Sequence, residues 1–404
     1  MLPTPDAFAC YTTVYVSLIG AHLNPSPAPA RVQDIVTGLF PRLVRPRTEH
    51  RPLANYRKGR MPRTHIRYRL GLLAMMLGAV ALLTGCEMPF ALDPRGPAAS
   101  EIARIWWILL WTAVAVSVVV FTLLGVALKR ARSASSGDAP LTPEASAQLE
   151  GRTTGFVLIG GGLIPALILV VATVITLSGL AVFDRPPDGV DHSIVVRGHM
   201  FWWEVSYPEH GIVTANEIHI PVGRPVRVEL ESADVIHSFW VPQLHGKMEM
   251  IPGKTNVIYM QADEPGTYFG KCAEFCGISH ANMEFLFIAQ EEDEFEAWLE
   301  RQASDATEPA DDLALRGRDV FVESPCALCH NVRGVSSAAA EAGPDLTHLA
   351  SRRTLGARTL VNVRGNLAGW ILDPQGIKPG NRMPAVTMEP DDFHALLAFL
   401  EGLR

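Results

Sequence analysis

The run Cys272-Ala-Glu-Phe-Cys276-Gly-Ile-Ser-His280-Ala-Asn-Met283 packs two thiols, an imidazole and a thioether into one short loop. Upstream, Asp234-Val-Ile-His237-Ser-Phe-Trp240 supplies a second histidine. Soft thiolate and thioether ligands together with imidazole select copper, zinc or an iron–sulfur cluster. The thioether argues against zinc. One Cys, two His and a Met make a mononuclear copper site of the electron-transfer type. The second Cys, four residues from the first, points instead to two copper ions bridged by both sulfurs. A disulfide or a pair of buried thiols is the structural alternative. A redox site of this kind works best when its ligands do not move, and a loop held between strands of a β-sandwich supplies that rigidity.

The surrounding sequence has the strands such a loop needs. Ser193–Arg197, Phe201–Tyr207, Glu217–Val222, Val226–Glu231, Thr255–Gln261, Thr267–Gly270 and Phe285–Gln290 are short β-rich runs. Pro208, Gly211, Gly223, Pro252, Gly253, Pro265 and Gly266 lie between them as turn residues, and this spacing predicts a sandwich or barrel over 190–301. Glu291–Arg301 reads as a short acidic helix, and Gln302–Asp311, poor in bulky apolar residues, as a linker.

Residues 312–404 carry a second redox signature. Cys326-Ala-Leu-Cys329-His330 is a C-x-x-C-H haem attachment string. Two thioether bonds from Cys326 and Cys329 would fix the haem edge, with His330 as the proximal axial ligand. The sixth position in electron-transfer cytochromes is often a Met. Met383, in Pro379-Gly-Asn-Arg-Met383-Pro384, is the candidate, with Met388 as rival. Leu313–Val322, Thr359–Leu372 and Asp391–Leu403 are the helix candidates of this segment. His199, His245 and His348 are read as structural hydrogen-bonding residues.

Before the β-rich region the chain is a membrane protein by pattern. It is 48% apolar and only 19% charged over 404 residues, against about 25% charged in ordinary soluble domains. Ile102–Leu128, whose one charged residue is Arg104 near its start, and the uncharged Phe156–Phe183 are apolar runs, each long enough to cross a bilayer, which takes ~20 residues. Trp106, Trp107 and Trp111 sit at the start of the first as an interfacial belt. Lys129, Arg130, Arg132 and Arg152 lie between the runs and place that loop in the cytoplasm by the positive-inside rule. Residues 86–185 are therefore expected to form a helical hairpin with both ends outside.

Residues 1–60, rich in Pro and Arg, are expected to be disordered or to precede the true start at Met61. Residues 61–85 have the positive and apolar regions of a signal peptide. Leu83-Thr-Gly-Cys86 has the form of a bacterial lipobox, which would make Cys86 a lipidated residue. Six cysteines, four of them in two close His-followed pairs and the others at Cys10 and Cys86, are not a disulfide framework. A net charge of −7 excludes nucleic acid as a general partner.

The string C-x-E-x-C-x-x-x-H-x-x-M with the upstream D-V-x-H-S-x-W closely resembles the dinuclear CuA domain of cytochrome c oxidase subunit II. Ala91-Leu-Asp-Pro-Arg-Gly-Pro97 and Gly198-His-Met-Phe-Trp-Trp203 resemble further segments of that family, and the likeness spans about Cys86 to Arg301. The string around Met383 resembles the Met loop of class I cytochromes c. The resemblance implies a multidomain fold: a two-helix transmembrane hairpin, an all-β cupredoxin-like CuA domain and an all-α class I cytochrome c domain. It implies that His237, Cys272, Cys276, His280, Met283 and the Glu274 carbonyl hold the copper pair. It further implies that the Glu274 side chain reaches a magnesium ion at the contact with the catalytic subunit. Mitochondrial-type members carry a Trp at the position of Phe201, where cytochrome c is thought to deliver electrons, and Phe201 departs from that. A Glu that many members carry near the cytoplasmic end of the second span aligns with Leu158, so no proton-uptake role is assigned there.

These features together resemble subunit II of a caa-type cytochrome c oxidase with a fused cytochrome c domain. The implied function is electron transfer from an external donor, cytochrome c or a bc complex, through haem c and the CuA centre to a catalytic subunit I, with subunit III as a further partner. Oxygen is then reduced to water and protons are pumped, with none of that chemistry on this chain. The implied location is the bacterial inner membrane, with both redox domains on the outer side. The electron-receiving subunit of a copper-dependent nitric oxide reductase is an alternative, and so is a free-standing membrane electron carrier.

Overall fold

A computed structural model describes residues 91–133, 142–183, 186–336 and 342–404. The segment 1–60, the leader expected over 61–85 and the lipidation site at Cys86 lie outside the described residues.

The apolar runs form α1 (Pro97–Ser133), α2 (Pro143–Val157) and α3 (Ile164–Phe183), with a π-helical segment at Leu158–Leu163 joining α2 to α3. Both apolar rods are long enough to cross a membrane and turn their side chains outward. Val118 is 60% exposed, Phe121 70% and Leu169 66%. The π segment sits where the helix cannot run regularly. Gly160–Gly162 have no side chains to guide packing, and Pro165 has no N–H to donate. The Ile164 N–H reaches back to the Ile159 carbonyl, the five-residue step of a π-helix. The second span, expected over Phe156–Phe183, is thus the end of a longer rod that starts at Pro143. The two rods meet closely at Gly179, where a Cβ would lie 2.4 Å from Ile105 Cδ1.

The hairpin is bound to the β-region at its base. The Arg95 N–H donates to the Gln243 carbonyl (2.7 Å), Ala99 N–H to Leu244 (3.1 Å) and Asp263 N–H to Arg95 (2.8 Å). No side chain beyond hydrogen fits at Gly96, where a Cβ would sit 2.3 Å from the Gln261 carbonyl oxygen.

Ten strands follow: β1 (His192–His199), β2 (Trp202–Tyr207), β3 (Ile212–Ala215), β4 (Glu217–Pro221), β5 (Val226–Ser232), β6 (His237–Trp240), β7 (Met248–Met250), β8 (Asn256–Met260), β9 (Gly266–Cys272) and β10 (Glu284–Gln290). They form two five-stranded sheets, ordered β3-β2-β1-β5-β8 and β4-β10-β9-β6-β7. The β1/β5 and β4/β10 pairs are parallel and the others antiparallel. In β5, Val226, Val228 and Leu230 are buried while Arg227, Glu229 and Glu231 alternate outward, the period-2 signature of a sandwich face. The two sheets enclose Trp203, Phe239 and Phe285. Phe239 stacks on Phe285 at 4.7 Å, and Trp203 meets Phe285 edge-on at 5.0 Å. Helix α4 (Glu292–Ala303) closes the sandwich, burying Phe295, Trp298, Leu299 and Gln302 on one stripe of helical spacing.

The remaining chain is mainly helical: α5 (Asp312–Glu323), α6 (Cys326–Cys329), α7 (Arg364–Leu372), α8 (Pro374–Ile377) and α9 (Pro390–Gly402), with a small hairpin β11 (Thr354–Leu355) and β12 (Leu360–Val361). The Asp311 side chain caps α5 by accepting from the Ala314 N–H at 2.8 Å. Helices α5 and α9 pack through Phe321 and Phe399, with ring centres 5.7 Å apart.

Two expectations are corrected. Only Arg364–Leu372 of the expected Thr359–Leu372 helix is helical. Gly356, Ala357 and Arg358 all have positive φ, so the chain turns back as a hairpin before a helix can start. The expected linker is shorter than Gln302–Asp311, because α4 keeps Gln302 and Ala303. What remains is fastened down. Ala306 N–H donates to the Arg333 carbonyl (3.0 Å), Thr307 Oγ1 donates to the Arg404 carbonyl (2.9 Å), and Arg333 Nη1 donates to the Ala303 carbonyl (2.6 Å).

Candidate copper and haem centres

The copper-loop donors come from three places in one sheet. His237 opens β6, Cys272 ends β9, and Cys276 to Met283 run through the loop that returns to β10. β6 pairs with β9 at Phe239↔Cys272, which sets His237 beside the loop. His237, Cys272, Cys276 and Met283 are at most 5% exposed, so water is largely excluded from them.

Their spacing is that of ligands around shared atoms. Cys272 Sγ is 3.9 Å from Cys276 Sγ and 3.9 Å from His237 Nδ1. Cys276 Sγ is 3.7 Å from His280 Nδ1 and 3.7 Å from Met283 Sδ. The Glu274 carbonyl oxygen lies 3.1 Å from Cys272 Sγ. Metal bonds of about 2.3 Å to sulfur and about 2.0 Å to nitrogen, at tetrahedral angles, separate two sulfurs by ~3.8 Å and a sulfur from a nitrogen by ~3.5 Å. The donors match within a few tenths of an ångström. The thiols are free and far outside the ~2.05 Å of a disulfide.

The electrostatics suit a cation. The neighbouring Cys276 thiol and then the His237 ring hold Cys272 well below the usual thiol range, against its burial. Cys276 is pushed up, because of its hydrogen bond with Cys272 and because a second buried negative charge would face the first. A metal is what allows both to ionise.

The orientation of His237 comes from a carboxylate that motif reading quoted but gave no role. Asp234 Oδ1 lies 2.9 Å from His237 Nε2, which leaves Nδ1 facing the sulfurs. A ligand histidine held in this way by its other nitrogen is a common second layer of metal sites. Burial opposes the charge on Asp234, but hydrogen bonds from His237 and from the Met200 and Val235 N–H groups bring it down to about 2. An acid three residues before a ligand His is a signal the sequence did contain.

Above the loop lies an open cleft of about 540 Å³, lined by Val235, Ile236, Glu249, Ile251, Glu274 and Phe275. Phe275 is 76% exposed.

In the haem segment, Cys326 and Cys329 flank one turn of helix, which places both thiols on the side from which His330 follows. His330 Nδ1 is 2.8 Å from the Pro344 carbonyl, so Nδ1–H donates and Nε2 is left for a metal. Burial lowers the His330 pKa and keeps the ring neutral, as a ligand must be. Gly343 lies against this ring, where a Cβ would come within 2.6 Å of Cε1.

Met383 packs against the same apolar core as Cys326. Its loop is tightly restrained. Asn381 Oδ1 accepts from the Met383 N–H (2.8 Å), and Gln375 Nε2 donates to the Asn381 (2.7 Å) and Met383 (3.1 Å) carbonyls. Met388 touches that core too, so burial does not separate the rivals, whereas the restraint of the loop favours Met383. The residues expected to be structural are hydrogen-bonded or stacked. His348 Nε2 is 3.1 Å from the Ser304 carbonyl, His245 Nδ1 is 3.0 Å from that of Gly246, and His199 stacks on Trp202 at 4.3 Å.

Residues 210–289 match the family model for the cytochrome c oxidase subunit II periplasmic domain, and residues 314–404 match the model for cytochrome c. Cytochrome c oxidase subunit 2 of Alkalihalophilus pseudofirmus is 40% identical, over 80% of this chain and 94% of the relative. The protein of the same name from Bacillus subtilis is 30% identical, over 82% and 97%. Among solved structures, the periplasmic domain of subunit II of cytochrome oxidase from Bradyrhizobium japonicum matches 29% of this chain and 95% of its own, with 30% identity and a TM-score of 0.28.

Proposed function

Because this chain belongs to the cytochrome c oxidase subunit 2 family and carries a fused cytochrome c domain, we propose that it is the electron-receiving subunit of a caa-type haem–copper oxidase. When bound, haem c and the copper pair would relay single electrons from an external donor, cytochrome c or a bc complex, towards a catalytic subunit that reduces oxygen and pumps protons. The observation that carries the reading is the convergence at 3.1–3.9 Å spacings of six donors, five from the end of β9 and the loop after it and His237 from β6.

In this reading His237, Cys272, Cys276, His280, Met283 and the Glu274 carbonyl hold the copper. Cys326 and Cys329 attach the haem, and His330 and Met383 ligate it. Asp234 holds the His237 ring and the Pro344 carbonyl holds the His330 ring, so neither needs to rotate when charge changes. The apolar cleft edged by Phe275 is the face offered to the catalytic subunit I, with subunit III further away. We assign the Glu274 carboxylate, on the same cleft, to a magnesium ion shared with that partner. The hairpin sits in the bacterial inner membrane with the end of α1 that bears Arg130 and Arg132 in the cytoplasm, and Cys86 carries the lipid on the outer side.

Purification of the full chain with its partners tests this. Two coppers per chain in a mixed-valence EPR signal, one low-spin haem c band and co-purification with an oxygen-consuming haem subunit are expected. A single copper, or zinc in its place, sinks the proposal.

A further inference from the structure

The two ligand loops touch. Ser279, one residue before His280, donates its hydroxyl to the Pro379 carbonyl at 2.6 Å, at the head of the loop that ends in Met383. One residue on, Gly380 lies so close that a Cβ there would meet Ile278 Cγ2 at 2.6 Å and Phe201 Cε2 at 3.6 Å. On the other side of Met383's loop, Arg382 reaches Asp234 at 3.4 Å, the carboxylate that holds His237. Beneath them Lys378, 2% exposed, donates from Nζ to the Phe201 and Gly356 carbonyls, both at 2.7 Å.

Further along the same face the two domains are joined by polar contacts rather than by a bare apolar patch. The Arg353 N–H donates to buried Glu217 (2.7 Å), Arg353 Nη1 donates to Thr267 Oγ1 (2.8 Å), and Arg358 pairs with Glu284 while its guanidinium covers the Phe269 ring at 4.0 Å. With the connector strapped to Arg333 and Arg404, no slack remains for the haem domain to swing.

We propose that the loops 277–280 and 378–383 form a fixed electron-transfer junction, with the Ser279 hydroxyl as the contact that couples them and Lys378 as the clamp that holds them together. The proposal rests on the functional reading above. With both groups bound, the transfer would be one electron from the group held at Cys326, Cys329 and His330 to the group held by the 272–283 loop and His237, with no bond made or broken and no proton moved. Ser279 and Lys378 are positioning residues. They touch neither metal, but they set the separation across which the electron passes. A haem domain tethered only by its linker would search for its partner, and its transfer rate would follow diffusion. A docked one transfers at a rate set by the junction alone.

The test uses the purified complex. Haem c is reduced by a light pulse through a ruthenium photoreductant, and its reoxidation by the copper centre is followed optically. In the wild type the rate is expected not to change with glycerol or sucrose. Ser279→Ala should slow it severalfold and Ser279→Thr should restore it, with the copper EPR signal and the haem band unchanged. Lys378→Met, which removes no candidate ligand, should slow it and make it viscosity-dependent. It should also raise hydrogen exchange in 378–383 even in chains without cofactors.

If Ser279→Ala loses its copper signal, Lys378→Met decides. Wild-type transfer that slows with viscosity, or wild-type kinetics in both Ser279→Ala and Lys378→Met, overturns the junction and leaves the functional reading intact. A wild-type complex lacking either the paired-copper signal or the haem band overturns the functional reading itself.

Discussion

Asp234 meets four partners with one carboxylate: the ring of His237, the Met200 and Val235 N–H groups and the guanidinium of Arg382. Its charge survives burial because each partner stabilises the ionised form. Asp234→Asn keeps the shape and removes the charge. Loss of such an outer partner typically costs about 10–100-fold in metal affinity or activity, so copper retention against a competing chelator should fall by that order. Unchanged retention would show that sequence position, and not the carboxylate, fixes the ring.

Lys378 makes a prediction in pH. Burial pushes its ammonium from 10.5 down to about 7, against the charges of Cys276 and Glu284, which favour the ammonium. The unfolded chain therefore binds one more proton than the folded chain between about pH 7 and about pH 10, and stability rises with pH across that window. Below pH 7 the group is protonated in both states and adds no slope. Thermal unfolding followed by haem absorption should show this rise in the wild type and a flatter profile in Lys378→Met. Parallel profiles for the two would mean that Lys378 is solvated when folded.

At the scale of elements, the closest approach in the haem domain is the crossing of α5 and α9 at Gly317. A Cβ there would lie 1.9 Å from the Ala395 carbonyl oxygen and 2.8 Å from Phe399 Cβ. A backbone atom cannot step aside as a side chain can, and overpacking commonly costs about 1–3 kcal/mol or more. Gly317→Val should lower the unfolding midpoint of the haem domain in denaturant while the copper EPR signal of the sandwich stays as it was. An unmoved midpoint would show that the helices separate freely.

The elements also show what sequence alone reveals. Strands of five residues or more, such as Val226–Ser232 with its alternating valines and charged residues, are legible because one face is buried and the other wet. β3, β6 and β7 were not anticipated. They run to four, four and three residues, and β6 reads first as a ligand motif. The lost start of the expected Thr359–Leu372 helix follows from left-handed backbone at Ala357 and Arg358, two residue types that rarely announce it. The candidate donors within 272–283 and 326–330 stand out in the sequence because their chemistry is local, whereas His237 lies 35 residues before Cys272. Ser279 and Lys378 do not stand out, since their partners lie 100 and 177 residues away.

At the scale of the molecule, the copper sandwich and the haem domain share a face built from Glu217, Thr267, Phe269 and Glu284 on one side and Arg353 and Arg358 on the other. Every proposed copper donor lies between 237 and 283, so a chain ending at Asp311 keeps the whole candidate set and loses only the cover. Such a chain should still show the paired-copper EPR signal in the membrane complex. Its turnover with a soluble donor should fall, because the donor must then find by diffusion a surface that the fused domain occupies at an effective concentration of about millimolar or above. The deficit should shrink as donor concentration rises and should grow with salt, because Glu217 and Glu284 are left without their arginines. Oxygen uptake measured against donor concentration at two ionic strengths checks this. Full turnover at low donor concentration would mean that electrons reach the copper by a route that bypasses the haem domain.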